Sequence, residues 1–195
     1  MMYRFFNTLL LFNLFFVTNS YAEEDKYAPV QDRLATCVAC HGEKGVSTIN
    51  INPSLAGQHF YYIYTQLKDF HAGRRENAFM APMVAGLEKD QMKLIAEYFS
   101  KEKWNATKFK ATKEQTKIAL SVINSGQCVA CHLGGFEGNS RVPRLSGQHF
   151  EYLEKTMIDF KNKVRNNAPS KGSLFATYSD EELSAVAAYL SGFKE

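Results

Sequence analysis

Two short motifs in this chain place two cysteines immediately before a histidine. They read Cys37-Val38-Ala39-Cys40-His41 and Cys128-Val129-Ala130-Cys131-His132. Two thiols separated by two residues can add to the two vinyl groups of one haem, and the adjacent histidine can then bind the iron as its proximal ligand. The motifs therefore predict two covalently bound haem c groups. Cys37, Cys40, Cys128 and Cys131 would attach them, and His41 and His132 would bind iron.

Cysteine pairs have three other common uses in proteins. A thioredoxin-type redox pair is expected in a βαβ context, and the sequence shows no strand-like alternation. A zinc site needs more ligands in each half, which only His59 and His149 could supply. Simple disulfides would leave the two following histidines unexplained. Haem accounts for both cysteines and the following histidine in each of the two motifs.

The two halves of the chain repeat each other. The cysteine motifs lie 91 positions apart, and Pro-Ser-Leu-Ala-Gly-Gln-His-Phe at 53–60 matches Pro-Arg-Leu-Ser-Gly-Gln-His-Phe at 143–150. Self-similarity of this length indicates a duplicated domain. We predict a domain at 23–103, a polar, lysine-rich linker at 104–112 and a second domain at 113–195.

Each half is predicted to be helical, so the fold class is all-α. One helix should carry each cysteine pair, with Leu120 among its apolar positions in the second half. A second helix should begin near Gln58 or Gln148, and a third near Lys89 or Asp180. Ser179 and Glu182 form a capping-box pattern at the last of these. Domains of this size have small apolar cores, and a buried haem would complete them.

The first 22 residues have the pattern of a secretory signal peptide. Arg4 precedes an apolar run from Phe5 to Val17, and small residues follow at Ser20 and Ala22. An uncleaved anchor is the alternative, although the run is short for a membrane span. Cleavage after residue 22 would remove one of 23 basic residues and none of 20 acidic ones, leaving a nearly neutral chain. No concentrated basic face is visible, so no nucleic-acid partner is predicted.

The two halves differ where a sixth iron ligand is expected. The first has Met80 and Met83 in the loop before its last helix, and a thioether ligand would suit electron transfer. The second half has no methionine there. Its options are Lys171 as a neutral amine, His149, or a five-coordinate iron. Met157 lies within a helix and is expected to pack in the core. Arg74, Arg75 and Arg165 are expected near the haem propionates or at the surface.

The tandem motifs, each followed by Leu-Ala/Ser-Gly-Gln-His and later by Asp-Phe at 69–70 or 159–160, resemble the diheme cytochrome c4 family. This resemblance covers nearly the whole chain after residue 22. It implies two tandem class I cytochrome c domains, each wrapped around one haem. It also implies an axial methionine seven residues before Leu87, which is Met80, with Met83 as a packing residue. The same count back from Tyr178 gives Lys171, where the family pattern has methionine.

The resemblance implies a periplasmic carrier of the respiratory chain. Its partners would be redox proteins such as a cytochrome bc complex and a terminal oxidase, and peripheral association with a membrane would be compatible with that role. A diheme oxidoreductase that acts at its second haem on a sulfur oxyanion or peroxide is the alternative. A binder or sensor of small ligands at an open iron is the third hypothesis. No acid–base constellation in the sequence supports catalysis, so the carrier is favoured.

Overall fold

A computed structural model of the chain describes residues 25–194, and the predicted signal peptide lies outside them. The described residues fold into α-helices without a strand, apart from an isolated bridge between Asn139 and Val142. The all-α prediction is therefore confirmed. The helices are α1 Gln31–His41, α2 Phe60–His71, α3 Met80–Val84, α4 Lys89–Lys101, α5 Lys113–Ser125, α6 Val129–His132, α7 Phe150–Lys161, α8 Pro169–Phe175 and α9 Asp180–Gly192.

The helices form two domains, each with its own apolar core. In the first, α2 packs against α4, and Leu34, Ile63 and Phe99 lie in one buried cluster. In the second, α9 packs against α5 and α7, and Val122, Met157 and Leu183 share the corresponding cluster. The core position expected for Met157 agrees with its exposed fraction of 6%. No helix of residues 25–194 is both long enough and apolar enough to cross a membrane.

Three helices begin with reciprocal capping boxes. Ser179 Oγ accepts the backbone N–H of Glu182, whose carboxylate accepts the N–H of Ser179, as the sequence predicted. Equivalent pairs start α5 at Thr112 and Gln115 and α4 at Glu88 and Gln91. Each box satisfies backbone donors that the first helical turn leaves without intrahelical partners. These caps fix where the helices that bracket the sites begin.

The helix that carries the cysteine motif differs between the halves. In the first domain α1 runs through Cys37, Cys40 and His41 without a break. In the second, α5 ends at Ser125, Gln127 adopts a positive φ of 51°, and the motif starts a new short helix. The prediction of one continuous helix is therefore wrong for the second half. Leu120, one of the apolar positions named for that helix, is 42% exposed.

The segment from 102 to 112 is extended and lies against both domains. The Trp104 backbone passes so close to Gly57 that a Cβ on that glycine would lie 2.8 Å from the Trp104 nitrogen. Further on, the Thr107 N–H donates to the Gly147 carbonyl at 2.9 Å. Phe109 stacks on Phe150 with ring centroids 4.9 Å apart. The segment thus contacts both domains in addition to connecting them covalently.

Candidate haem sites and the surface between the domains

The proximal histidines are oriented by a repeated contact. His41 Nδ1 lies 2.8 Å from the carbonyl oxygen of Pro53, and His132 Nδ1 lies 3.0 Å from that of Pro143. A carbonyl can only accept, so Nδ1–H must be the donor in both rings. That tautomer leaves the Nε2 lone pair free to bind a metal ion.

Both imidazoles are held in their neutral form. Burial lowers the pKa of His41, the Pro53 carbonyl opposes this, and the charge of Arg75 lowers the pKa further. Burial likewise lowers the pKa of His132, Pro143 opposes it, and here the added positive charge comes from Lys171. A neutral imidazole is the form that binds iron.

No disulfide joins the four cysteines within the described residues. In each motif the first cysteine is partly buried and the second is exposed. Burial raises the pKa of Cys37 to about 11 and also raises the pKa of Cys128. Among residues 25–194, no group of three or more His, Cys, Asp or Glu side chains is arranged so that it could hold a metal ion.

Met80 opens a short helix rather than lying in a loop. Asn77 Oδ1 accepts the backbone N–H groups of Phe79 at 3.0 Å and Met80 at 2.9 Å, which fixes the start of α3. The Met80 side chain packs against the first core cluster. Met83 is 45% exposed to solvent, and its packing against the haem stays a prediction.

Lys171 lies in the second domain's equivalent short helix, α8. Its side chain is half-buried. His149, the other nitrogen donor considered for the second iron, points elsewhere: its Nε2 lies 3.0 Å from the Ser47 carbonyl of the first domain. Its counterpart His59 makes the same kind of contact with the Glu137 carbonyl at 2.8 Å. Both histidines therefore belong to the surface between the domains.

Two buried glutamines make reciprocal contacts across that surface. Gln58 donates Nε2–H to the Arg144 carbonyl and accepts the Arg144 N–H, at 3.0 and 2.9 Å. Gln148 does the same with Ser54, at 3.0 and 2.9 Å. Sequence reasoning noted these glutamines as part of the repeat but missed their role, because a repeated motif does not reveal that its copies face each other.

A cationic group lies between α2 and α7. Arg75 donates to Gln66 of its own domain at 2.9 Å and to the Tyr152 hydroxyl of the other domain at 3.3 Å. Arg165 is buried and donates to Tyr62 and Gln66 across the interface, at 3.4 and 2.9 Å. Burial would raise the pKa of Tyr152, but these two arginines lower it to about 7. Such a surplus of positive charge suits carboxylates like those of haem.

Arg74, the third arginine expected near a propionate or at the surface, pairs with Asp69 at 2.9 Å instead.

These features define a class of protein: two class I cytochrome c domains in tandem. The two cysteine pairs, the fixed histidine tautomers and the two arginines fit covalently bound haem. The family model described as cytochrome c oxidase, cbb3-type, subunit III matches residues 115–190.

Comparison with known proteins identifies the family. The chain is 35% identical to cytochrome c4 of Thiocapsa roseopersicina, covering 82% of this chain and 88% of that protein. It is 31% identical to a protein of Stutzerimonas stutzeri named thiosulfate dehydrogenase electron acceptor, over 80% and 77% of the two chains. The crystal structure of reduced cytochrome c4 from Pseudomonas stutzeri superposes with a TM-score of 0.77 at 29% identity, over 85% and 97%. This chain belongs to the cytochrome c4 family, whose members are electron-transfer proteins with two covalently bound haem c groups.

Proposed function

We propose that this chain is a periplasmic electron carrier, exported by its first 22 residues, that links respiratory-chain donors to a terminal oxidase. Cys37, Cys40 and Cys128, Cys131 attach its haems, His41 and His132 are the proximal ligands, and Met80 is the sixth ligand in the first domain. Family membership supports the electron-transfer role. Its relatives that are named cytochrome c4 support the placement outside the cytoplasm.

One structural observation carries the proposal: each proximal histidine is held by the segment that contacts the other domain. Pro53, whose carbonyl orients His41, directly precedes Ser54, which binds Gln148. Pro143, whose carbonyl orients His132, directly precedes Arg144, which binds Gln58. The two sites are thus joined through short covalent and hydrogen-bonded routes. An electron received at one domain can pass to the other without a mobile element.

The donor class has two candidates. A cytochrome bc complex is expected for a respiratory carrier. A thiosulfate-oxidising enzyme is the second, because the Stutzerimonas stutzeri relative is named as the electron acceptor of thiosulfate dehydrogenase. In both cases the chain receives electrons from a protein and does not itself turn over the substrate.

The test uses the exported full-length chain with its haems. Its mass and N-terminal sequence should show two attached haems and a start at residue 23. Stopped-flow mixing with a reduced cytochrome bc complex, and separately with thiosulfate dehydrogenase plus thiosulfate, should reduce two haems per chain. A terminal oxidase should then reoxidise them. Catalytic consumption of thiosulfate or peroxide by the chain alone would instead support the oxidoreductase alternative and overturn the carrier proposal.

A further inference from the structure

The second domain carries a lysine where the first carries its methionine. Short helices α3 and α8 occupy the same place in the repeat, between α2 and α4 and between α7 and α9. The count of seven residues back from Leu87 gives Met80, and the same count from Tyr178 gives Lys171. Both side chains are half-buried. The chain has thus kept the supporting helix while changing the donor atom from sulfur to nitrogen.

The charge of Lys171 acts on the haem-binding motif of its own domain. Burial raises the pKa of Cys128, and Lys171 partly counteracts that rise. Lys171 also adds to the lowering of the pKa of His132 that burial causes. In the first domain the corresponding influences come from Arg33 and Arg75, neither of which is at the methionine position. Lys171 therefore lies close enough to the motif for its charge to act on both residues.

The backbone around Lys171 is fixed on both sides. The Lys171 N–H donates to the Ala168 carbonyl at 2.9 Å. Gly172 passes so close to α7 that a Cβ there would lie 2.9 Å from the Phe160 carbonyl oxygen. Phe175, three residues further on, packs against the second core cluster and lies 6.2 Å from the Phe160 ring. A lysine anchored in this way can reach a fixed point with little further loss of chain entropy.

Four other donors near this position in the described chain are engaged elsewhere. His149 contacts Ser47 across the interface, and Met157 is buried in the core of α7. Asn167 donates to Gln66 and Asp69 of the first domain, at 3.1 and 2.8 Å. Lys161 pairs with Asp180 at 2.7 Å. Lys171 is favoured over these four because it occupies the methionine position of the repeat on an anchored helix.

We propose that Lys171 Nζ is the sixth ligand of the iron in the second domain, bound as a neutral amine after its ammonium has given one proton to solvent. This inference rests on the proposed haem sites. An amine is a harder and stronger donor to ferric iron than a thioether, and methionine ligation is what raises the potential of such haems. The second haem then has a lower potential than the first, and electrons run from the second domain to the first.

Spectroscopy of the ferric, haem-loaded protein tests the ligand directly. Electron paramagnetic resonance and optical spectra of the wild type should show two low-spin haems, with the weak far-red band of methionine ligation arising from one. In Lys171→Met the amplitude of that band should double and the potential of the second haem should rise. In Lys171→Ala half of the iron should become high-spin. Lys163→Met, which changes an exposed lysine in the preceding turn, should match the wild type.

Two results would overturn the ligation. One is a wild-type protein with half of its ferric iron high-spin, which would mean an open second site. The other is a second-haem signal that stays the same in Lys171→Met and Lys171→Ala, which would mean a different ligand. If the chain still holds two haems and exchanges electrons with its partners, only the Lys171 inference fails. A mass showing no haem in the second domain would overturn the proposed sites and this inference together.

Discussion

Gln148 of the second domain binds both backbone groups of Ser54 in the first. Its Oε1 accepts the Ser54 N–H at 2.9 Å, and its Nε2–H donates to the Ser54 carbonyl at 3.0 Å. The repeat creates the converse contact between Gln58 and Arg144, so the domains meet about a local two-fold relation. Because both glutamines are almost fully buried, each bond is shielded from water. The interface therefore contains buried hydrogen bonds directly beside the prolines that orient the two histidines.

Replacing Gln148 by alanine should expose one backbone amide of the other domain. The Ser54 N–H would lose its acceptor, and an unmade buried hydrogen bond costs about 1–3 kcal/mol. Hydrogen exchange of the Ser54 amide should accelerate by about tenfold or more. The Arg144 amide, which Gln58 holds, should keep its protection in the same variant. In Gln58→Ala the Arg144 amide should lose its protection and the Ser54 amide should keep it. Equal loss of protection at both amides in either variant would show that the two glutamine contacts are not independent.

The motif-bearing residues were predictable from sequence because covalent chemistry fixes their spacing. The pairing between Gln58 and Arg144, or Gln148 and Ser54, was not, since it depends on how two copies dock. The break at Gln127 was missed although the sequence carries a signal for it: Gly126 follows Asn124 and Ser125 just before the second motif and ends α5, whereas the first half has no glycine at this place. Asn77 and Asn167 align in the repeat but act differently: the first caps α3 and the second reaches across to Asp69. Tertiary contacts decide such roles, and local pattern does not contain them.

The cores of the two domains place a large aromatic residue at different positions of the repeat. In the first domain Gly45, at φ 81°, makes room for Phe99, whose Cδ1 would lie 2.6 Å from a Cβ on that glycine. In the second domain the same positions hold Phe136 and Leu190. Phe136 is 3% exposed despite a positive φ of 53°, and it packs edge-on against Phe193 at 5.1 Å. At this pair of positions each core thus contains one large ring, which is Phe99 in the first domain and Phe136 in the second.

Because Gly45 and Phe99 share the same space, substitutions at the two positions should be energetically coupled. Gly45→Phe alone should destabilise the fold by about 3 kcal/mol, because it overpacks the site and places a side chain at positive φ. Phe99→Leu alone should cost about 1–3 kcal/mol. The free energy of unfolding of the double variant should be about 1–3 kcal/mol higher than the value expected from adding the two single losses. Guanidinium unfolding monitored by helical circular dichroism checks this, and strict additivity would show that the positions do not share space.

The linker contact at Gly57 predicts a separate loss of stability. Gly57 has φ +64°, and a Cβ there would lie 2.8 Å from Trp104 N and 2.9 Å from Trp104 Cβ. Gly57→Ala should therefore destabilise the protein by about 2–4 kcal/mol, from backbone strain plus displacement of the linker. Gly73 is the matched control, with φ +68° and nothing within 4 Å of its added Cβ. Gly73→Ala should cost only about 1–2 kcal/mol in the same unfolding experiment. Equal costs would mean that Trp104 does not restrict Gly57.

Two methionines three residues apart should respond differently to removal. Met80 packs inward, whereas Met83 is 45% exposed. Met80→Ala should abolish the far-red band of the wild-type ferric protein and lower the potential of the first haem, because the thioether ligand is lost. Met83→Ala should leave both unchanged. Optical redox titration of the two variants checks this, and loss of the band in Met83→Ala would exchange the roles of the two residues.

Asn77 should control how firmly Met80 stays in place. Its Oδ1 accepts the backbone N–H groups of Phe79 and Met80, and removing a cap of this kind costs about 1 kcal/mol. In Asn77→Ala the start of α3 should fray, so the far-red band should disappear on heating before the protein unfolds globally. Asn167→Ala removes the aligned side chain, whose contacts are with Gln66 and Asp69, and should keep the band up to the unfolding transition. Heating both variants while recording the far-red band and helical circular dichroism separates local from global loss. If the band and the helices vanish together in Asn77→Ala, the cap stabilises the whole domain and does not act on the Met80 turn in particular.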